Sequence, residues 1–497
     1  MLEKWLRLDR TDNTPLSEQL YKSIRLAAQE GHIKAGYRLP SSRTLASTLG
    51  ISRNTVGTAY DLLAAEGLLA TKPGACAYLC VPPGFSFHAT QDTVTLPTLS
   101  ITGQKLAQNR HLGVFRGADL SFRPGQPDPT LFPKDEWGRL ARRATRGLKG
   151  DALLYGESTG LPELQEALSL HLAATRGVRV APRDLMILPT VQSALFLLSQ
   201  CFTEHGDTVW LEDPGYPGAR MAFSGAKTDF MPVDENGADT SGLISTPKLI
   251  YVTPSHQYPT GSGMSLERRL ELLERARITG AIVIEDDYDS EFLWQGRPIP
   301  ALQALGSSAP VIYLGTAAKS LLPGLRLAWM ALPPGLIDTL QHVQRNLGLL
   351  ANVYAQSAFA HWISAGHHRA HLRRISQIYE KRCQTLTHHI QNECGSRVVL
   401  LPSQGGLQIA IKFAPQIDDR MVAAFMAERG YTVTCLSSLY GGNRVEQGLV
   451  VGFAQSNDRE CQRFSHLLAQ ALHRQVSDAP SCPPSPAPDD APPCVQA

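Results

Sequence analysis

The chain has 497 residues, 43% of them hydrophobic and 19% charged, a composition ordinary for a globular protein with large cores and one that excludes a fibrous or wholly disordered chain. Lys and Arg total 47 against 45 Asp and Glu, so no global field argues for a nucleic-acid or membrane partner, and any such partner has to be read from local features. At about 150 residues per domain, the length allows roughly three domains.

The amino terminus carries charge throughout and lacks the apolar core of a signal peptide. No stretch approaches the roughly 18 apolar residues of a spanning helix, so no membrane partner is expected. Nine cysteines, at 76, 80, 201, 383, 394, 435, 461, 482 and 494, are scattered and never spaced Cys-x-x-Cys. This argues against a disulfide framework or zinc site and fits a reducing cytoplasm.

Residues 1–81 read as a compact helical module. Thr14-Pro15 starts a helix whose Leu16, Leu20 and Ile24 share one face before Gly31 stops it. Ser41 caps a short helix carrying Leu45 and Leu49, Gly50 makes a turn, and Ser52 caps a longer helix whose Val56, Tyr60 and Leu63 face inward. Helix, tight turn, helix is the arrangement that presents a reading helix to DNA. Arg53 and Asn54, with Thr55, Gly57 and Thr58, lie on the outer face of the second helix at its start, where arginine can fork onto guanine and asparagine onto adenine. Residues 68–81, with Lys72-Pro73-Gly74 at the tip, read as a two-stranded wing. The module holds ten Lys/Arg and seven Asp/Glu over residues 1–80, a modest local surplus in the direction DNA requires. Residues 82–118, broken by prolines and glycines, read as a linker with a short helix near 104–110.

From about residue 119 to 476, apolar strand-like runs alternate with helical patterns, the signature of an α/β domain with a mainly parallel sheet. Four runs, at 208–211, 249–252, 281–284 and 311–314, discharge into polar loops at strand carboxyl ends, where open α/β sheets bind ligands. Those exits carry Tyr216, Tyr258, the acidic run Glu285-Asp286-Asp287-Tyr288-Asp289, and Thr316 followed by Lys319 and Arg326. Pyridoxal 5'-phosphate requires this inventory: an amine for the imine, a carboxylate at the pyridine nitrogen, aromatic rings, and phosphate donors. Lys319 is the candidate amine, Asp286 the pyridinium partner, Tyr288 a hydroxyl donor to the ring oxygen, and Thr316 and Arg326 the phosphate ligands. The helix opening near Thr190 and Gln192 offers backbone N–H groups to the same phosphate. After Arg474 the tail has seven prolines in residues 478–497 and little to bury, so disorder is expected there.

Two resemblances add to these readings. Arg38-Leu-Pro-Ser-Ser-Arg43-Thr-Leu-Ala, Leu49-Gly-Ile-Ser-Arg53-Asn-Thr-Val and Tyr60-Asp-Leu-Leu-Ala-Ala-Glu66-Gly-Leu-Leu resemble the winged helix of the GntR family of bacterial repressors. The residues assigned to double-stranded DNA are Arg38, Ser42, Arg43, Ser52, Arg53, Asn54, Thr55 and Lys72. The acidic run, Tyr251-Val-Thr-Pro-Ser-His-Gln-Tyr-Pro-Thr-Gly261 and Gly315-Thr-Ala-Ala-Lys-Ser-Leu-Leu-Pro-Gly-Leu-Arg326 resemble the fold type I aminotransferase domain of the MocR, or GabR-like, regulators. That resemblance implies a homodimer, a winged helix on a long linker, and a Tyr155 that reaches the cofactor phosphate of the neighbouring subunit.

The departures from the family pattern bear on function. The wing reads Pro73-Gly74-Ala75-Cys76 in place of Pro-Gly-x-Gly. The phosphate turn reads Pro189-Thr190-Val191-Gln192-Ser193, with a glycine and a hydroxyl fewer than usual, and Ala318 replaces a hydroxyl residue before the lysine. Gln455 stands where the resemblance places an arginine for an effector carboxylate. The expectation is a cofactor-binding regulator that senses the cofactor, an amine or an amino acid. A working aminotransferase with a DNA anchor, and a large domain that only dimerises, remain as alternatives.

Overall fold

The computed structural model describes residues 2–70, 77–80, 98–108, 122–154, 159–294, 300–306 and 309–477. Lys72, Tyr155, most of the linker 82–118 and the tail 478–497 lie outside the described residues. The chain forms two compact units, Met1–Thr98 and Leu99–Ala497.

The first unit contains α1 (Leu16–Gln29), α2 (Ser42–Leu49) and α3 (Arg53–Ala65), followed by β1 (Leu69–Ala70) and β2 (Tyr78–Leu79). Leu20, Ile24, Leu45, Val56 and Leu63 are fully enclosed in its core, as the helical spacing requires. Ser41 accepts from the N–H of Thr44 and Ser52 from that of Thr55, while Gly50 closes α2 in the left-handed conformation. Tyr60, read from sequence as inward, is half-buried and donates its hydroxyl to Pro40 O at 2.8 Å. β1 and β2 pair antiparallel, the base of the expected wing.

The second unit opens with α4 (Ile101–Gln108), three residues earlier than the sequence suggested, then α5 (Lys134–Gly147) and α6 (Pro162–Arg176). Its large sheet is built from β3 (Leu185–Leu188), β4 (Thr208–Asp213), β5 (Lys227–Asp234), β6 (Gly237–Ala238), β7 (Leu249–Val252), β8 (Ile282–Asp286), β9 (Val311–Thr316) and β10 (Ala328–Ala331). The strand order is β3-β10-β9-β8-β7-β4-β5-β6. Strands β9, β8, β7, β4 and β5 run parallel, whereas β10 is antiparallel to both its neighbours. The short return after Lys319 has no crossover helix, so β10 comes back antiparallel. Since β3 is antiparallel to β10, it points the same way as β9, and its carboxyl end lies at the same edge as those of β4, β7, β8 and β9.

Helices α7 (Val191–Phe202), α8 (Pro217–Ala222), α9 (Leu266–Thr279), α10 (Ile337–Asn346) and α11 (Val353–Ser364) accompany this sheet. Their apolar residues form cores with the strands, among them Leu195, Leu198, Ile284, Leu314 and Met330. The long α12 (His367–Cys394) leads to a smaller antiparallel sheet of β11 (Val398–Leu400), β12 (Gln408–Phe413), β13 (Thr434–Cys435) and β14 (Gly448–Gly452), packed with α13 (Asp419–Glu428) and α14 (Asp458–Ser477). Among the described residues no helix is long and apolar enough to cross a membrane.

Candidate functional site

A cavity of about 980 Å³ opens in the second unit. Lys319, Asp286, Tyr288, Tyr216, Tyr258, Thr316, Arg326, Thr190 and Gln192 all line it, so nine of the ten residues assigned to the cofactor from sequence share one space. The tenth, Tyr155, lies outside the described residues.

The four acids at the end of β8 and just beyond it are sorted by what they bind. Glu285 accepts the backbone N–H of Leu302 at 2.8 Å and of Gln303 at 3.1 Å. Asp287 pairs with the buried Arg176 at 2.7 Å and accepts the Tyr313 hydroxyl at 2.7 Å. Asp289 faces Nδ1 of His256 at 3.0 Å. Asp286 alone of the four lines the cavity. Its Oδ2 accepts the Tyr251 hydroxyl at 2.7 Å, while its buried Oδ1 has no hydrogen-bond partner among the described residues. Burial pushes this carboxyl up to about 7, against the Tyr251 bond that favours its anion. A buried acceptor left open is costly unless a ligand donates to it, and a protonated ring nitrogen is such a donor.

Lys319 Nζ donates to Gly125 O at 2.7 Å. Burial lowers its pKa, against the pull of Asp289 and Asp286, which increases the neutral, nucleophilic fraction of the amine. Gly125 is in the left-handed region with φ 69°, and a Cβ there would sit 2.9 Å from Nζ, so glycine is what admits the lysine.

Tyr216, Tyr258 and Tyr288 form an aromatic wall: the rings of Tyr216 and Tyr258 meet edge-on at 5.8 Å, and those of Tyr258 and Tyr288 at 6.3 Å. Burial raises the pKa of all three hydroxyls, which keeps them protonated donors. The Tyr288 hydroxyl lies 3.5 Å from Nδ1 of His256. Asp289 lifts the pKa of that histidine despite its burial.

Where the sequence reading puts the phosphate, Thr190 caps α7: its hydroxyl accepts the N–H of Ser193 while Ser193 Oγ accepts the N–H of Thr190. Ser193, with Val191 and Gln192 of the first turn of α7, lines the cavity, where open N–H groups of a helix start suit an anion. Thr316 is partly committed to its own turn, donating to Leu327 O at 3.2 Å and accepting from Ala318 N at 3.1 Å. Arg326 stands in the left-handed region with φ 54°, the one non-glycine residue to do so among those described, a strain that recurs at ligand sites. Gln192 donates to Gly218 O at 3.0 Å and leaves its buried Oε1 without a partner among the described residues.

Arg123, Gly125 and Gln408 are among the residues of this space that are absent from the sequence reading. Gln455 donates to Pro127 O at 3.0 Å and is not among the lining residues, so it braces the chain that carries Arg123. An arginine is therefore present, delivered from the segment before α5 and not from the strand before Gln455. A solitary glutamine heading the apolar run of β12 was the signal available for Gln408. Outside the cavity, Glu291 is held between Nε2 of His171 at 3.2 Å and of His368 at 3.1 Å. Nδ1 of His368 is buried with no acceptor among the described residues, so the bond that orients a metal-bound imidazole from its far nitrogen is missing there.

In the first unit, Arg43, Ser52, Arg53 and Asn54 are exposed and Ser42 and Thr55 half-buried around the turn between α2 and α3. Arg53 Nε reaches Ser42 Oγ at 3.4 Å. Arg38 is exposed and its backbone bridges to Tyr78 at the wing base.

Comparison with known proteins agrees with this geometry. Residues 128–465 match the family described as aminotransferase class I and II, and residues 16–79 match the bacterial regulatory proteins of the gntR family. The chain is 35% identical over 472 residues to the probable rhizopine catabolism regulatory protein MocR of Rhizobium meliloti, covering 94% of this chain and 96% of that one. It is 30% identical over 486 residues to the pyridoxine biosynthesis transcriptional regulator PdxR of Corynebacterium glutamicum, covering 96% and 98%. Among solved structures, the α-aminoadipate aminotransferase LysN of Thermus thermophilus, complexed with N-(5'-phosphopyridoxyl)-L-leucine, superposes with a TM-score of 0.70 at 26% identity, over 76% of this chain and 98% of that one. The chain belongs to the MocR-like group of GntR-family transcriptional regulators, in which a DNA-binding helix-turn-helix module precedes an aminotransferase class I and II domain.

Proposed function

We propose that the protein is a transcriptional regulator that binds double-stranded DNA through residues 1–81 and pyridoxal 5'-phosphate through residues 119–476, joined by a linker over 82–118, and that it works as a homodimer responding to an amine or amino-acid effector. The observation that carries this reading is the pairing, in one cavity, of a half-buried lysine with a carboxylate whose second oxygen has no partner among the described residues. The relatives named above are regulators, and LysN is a phosphopyridoxyl-binding enzyme of the same fold.

In this reading, Asp286 Oδ1 holds the ring N–H, the tyrosine wall packs the ring, and Tyr288 donates to its oxygen. Arg326, Thr316 and the α7 amino end, with Thr190 and Gln192, hold the phosphate. Tyr155 completes that phosphate site in the neighbouring subunit. The cofactor supplies an electrophilic carbon to which amines add. Lys319 supplies the resident amine, held within the cavity by Gly125 O. Arg38, Ser42, Arg43, Ser52, Arg53, Asn54, Thr55 and Lys72 are assigned to the DNA. An effector changes DNA binding only by favouring one arrangement of the chain over another.

The test is a visible absorbance band in protein reconstituted with pyridoxal phosphate, lost in Lys319→Ala, together with footprints on the DNA beside its own gene. A band that depends on Lys319, and footprints that change with cofactor or amines, support the reading. Identical footprints under all conditions overturn the switch. A second reading, a working aminotransferase, draws on the intact set of Lys319, Asp286 and Tyr288 around one cavity. Steady keto-acid production from an amino donor identifies it.

A further inference from the structure

Helix α5 sorts its residues by face. Trp137 and Leu140 pack against the core that holds Phe359 and Trp362 of α11, and Ala144 is buried. Arg139, Arg142, Arg143 and Arg146 are all exposed, and at 100° per residue they fall within an arc of about 100°. Both acids of the helix, Asp135 and Glu136, stand in its first turn, and Glu136 reaches Arg139 at 3.9 Å. Arg142, Arg143 and Arg146 form no ion pair among the described residues.

The start of α12 extends this surface. Trp362 meets Trp137 edge-on at 6.4 Å and His367 at 5.3 Å, which brings the first turns of α5 and α12 together. Arg369, Arg373 and Arg374 are exposed there, and Arg374 donates to Leu131 O at 2.8 Å. Glu291, which touches this helix, is taken up by His171 and His368. Helix α5 holds five Lys/Arg against two Asp/Glu, and residues 367–374 hold three Arg and no acid, so these 22 residues carry a surplus of six. The whole chain carries +2, and the 80 residues of the helix-turn-helix module a surplus of three. Helix-dipole compensation accounts for Arg146 alone, in the last turn.

We propose that this face of α5, with Arg369 and Arg373 of α12, grips the phosphate backbone of duplex DNA, so that the large unit is a DNA-binding surface in its own right. From Arg139 to Arg146 the helix rises about 10 Å, and a duplex offers a phosphate about every 3.4 Å along each strand, room for about three contacts. Between these arginines the arc holds no aromatic or aliphatic side chain. A protein partner requires an apolar centre, and a membrane surface an apolar face to insert; a row of phosphates requires neither. The planar fork of arginine suits phosphate oxygens, and such contacts carry affinity without reading bases. The inference rests on the proposed DNA reading, to which it adds a second, sequence-blind surface in the other unit.

The test measures binding of the full chain to a random-sequence duplex and to the DNA beside its own gene, by fluorescence anisotropy between about 50 and 200 mM salt. Arg142→Gln, Arg143→Gln and Arg146→Gln together are expected to make the log–log salt slope shallower by about 2.7 on both duplexes, so that the affinity lost across this range is about 40-fold smaller. Preference for the specific duplex survives, because α3 is untouched. A control chain with Arg183→Gln, Lys227→Gln and Lys248→Gln loses the same charge from exposed positions elsewhere in the unit and keeps the original slope. An unchanged slope in the α5 triple overturns the inference, as does an equal change in the control. If the α5 triple fails to fold, Arg369→Gln with Arg373→Gln carries the same test, with an expected change of about 1.8. Polyglutamate and phosphatidylserine vesicles are titrated in parallel, and tighter α5-dependent binding to either than to duplex overturns the assignment to DNA. Loss of sequence preference in the unsubstituted protein, with an α5-dependent slope retained on random duplex, sinks the sequence-reading module alone and supports the α5 surface. Absence of any duplex binding by the unsubstituted protein overturns both.

Discussion

Tyr251 donates its hydroxyl to one oxygen of Asp286 at 2.7 Å, and this single bond divides the carboxylate into an anchored half and an open half. The bond favours the anion and so opposes the upward push of burial, which places the group at about 7. Tyr251→Phe removes that opposition and raises the pKa further. The expected outcome is several-fold weaker pyridoxal phosphate binding at pH 7 that recovers by pH 9, measured by equilibrium dialysis. Asp286→Asn weakens binding at both pH values, because an amide gains no charge at any pH.

Stability of the cofactor-free protein should fall as pH rises toward neutrality. Burial raises Glu212, Glu285 and Asp286 to about 7 in the folded state from ordinary values of 4.5, 4.5 and 3.8. Between those values and about 7 the native state keeps protons that the unfolded chain releases, so unfolding gains from each unit of pH. Their contribution is complete below the unfolded values and lost as pH climbs through about 7. Melting temperatures from pH 5.5 to 8 should decline, less steeply in Asp286→Asn. A midpoint that rises across this range contradicts the assignment.

On the DNA side, Arg53→Ala and Asn54→Ala should each cost about 1–3 kcal/mol of discrimination between specific and scrambled sites. Competition binding at fixed salt reads this directly. Ser52→Ala removes the acceptor for the Thr55 N–H, a loss of about 1 kcal/mol in stability of the first unit, visible as an earlier melt.

Gly452→Ala tests the backbone contact that delivers Arg123. The added methyl would meet Arg123 O at 2.2 Å, and relief of such overpacking typically costs about 1–3 kcal/mol. The expected result is a lower melting temperature.

Breaking the Arg176–Asp287 pair, 2.7 Å long and enclosed, should be among the costlier substitutions in the large unit. Arg176→Met leaves Asp287 with only the Tyr313 hydroxyl, and loss of one partner of a buried ion pair costs about 3–5 kcal/mol. Chemical denaturation with an unchanged slope and a lower midpoint is the expected signature.

Much of this site was legible from local sequence because each residue follows a strand whose apolar run is unmistakable. The segments containing Asp286, Lys319 and Tyr258 declare themselves as strand exits, and a common direction then brings the exits to one edge. The caps of α2 and α3 were equally readable, since Ser41, Gly50 and Ser52 act within four residues of their partners. What sequence could not supply was long-range contact. Arg123 reaches the cavity through Gly452, more than 300 residues away, and Gln408 through the pairing of β12 with β14. Neither leaves a local pattern. The reversal of β10 was missed for a related reason: strand direction is set by the connection and its neighbours, while an apolar run looks alike in both directions.

The division of labour among the four acids at the end of β8 and just beyond it has an evolutionary side. Three of them are tied to backbone, arginine and histidine, and keep the scaffold in shape. The fourth meets Tyr251 and lines the cavity. One codon change at 286 would therefore silence the vitamin chemistry while the architecture endured.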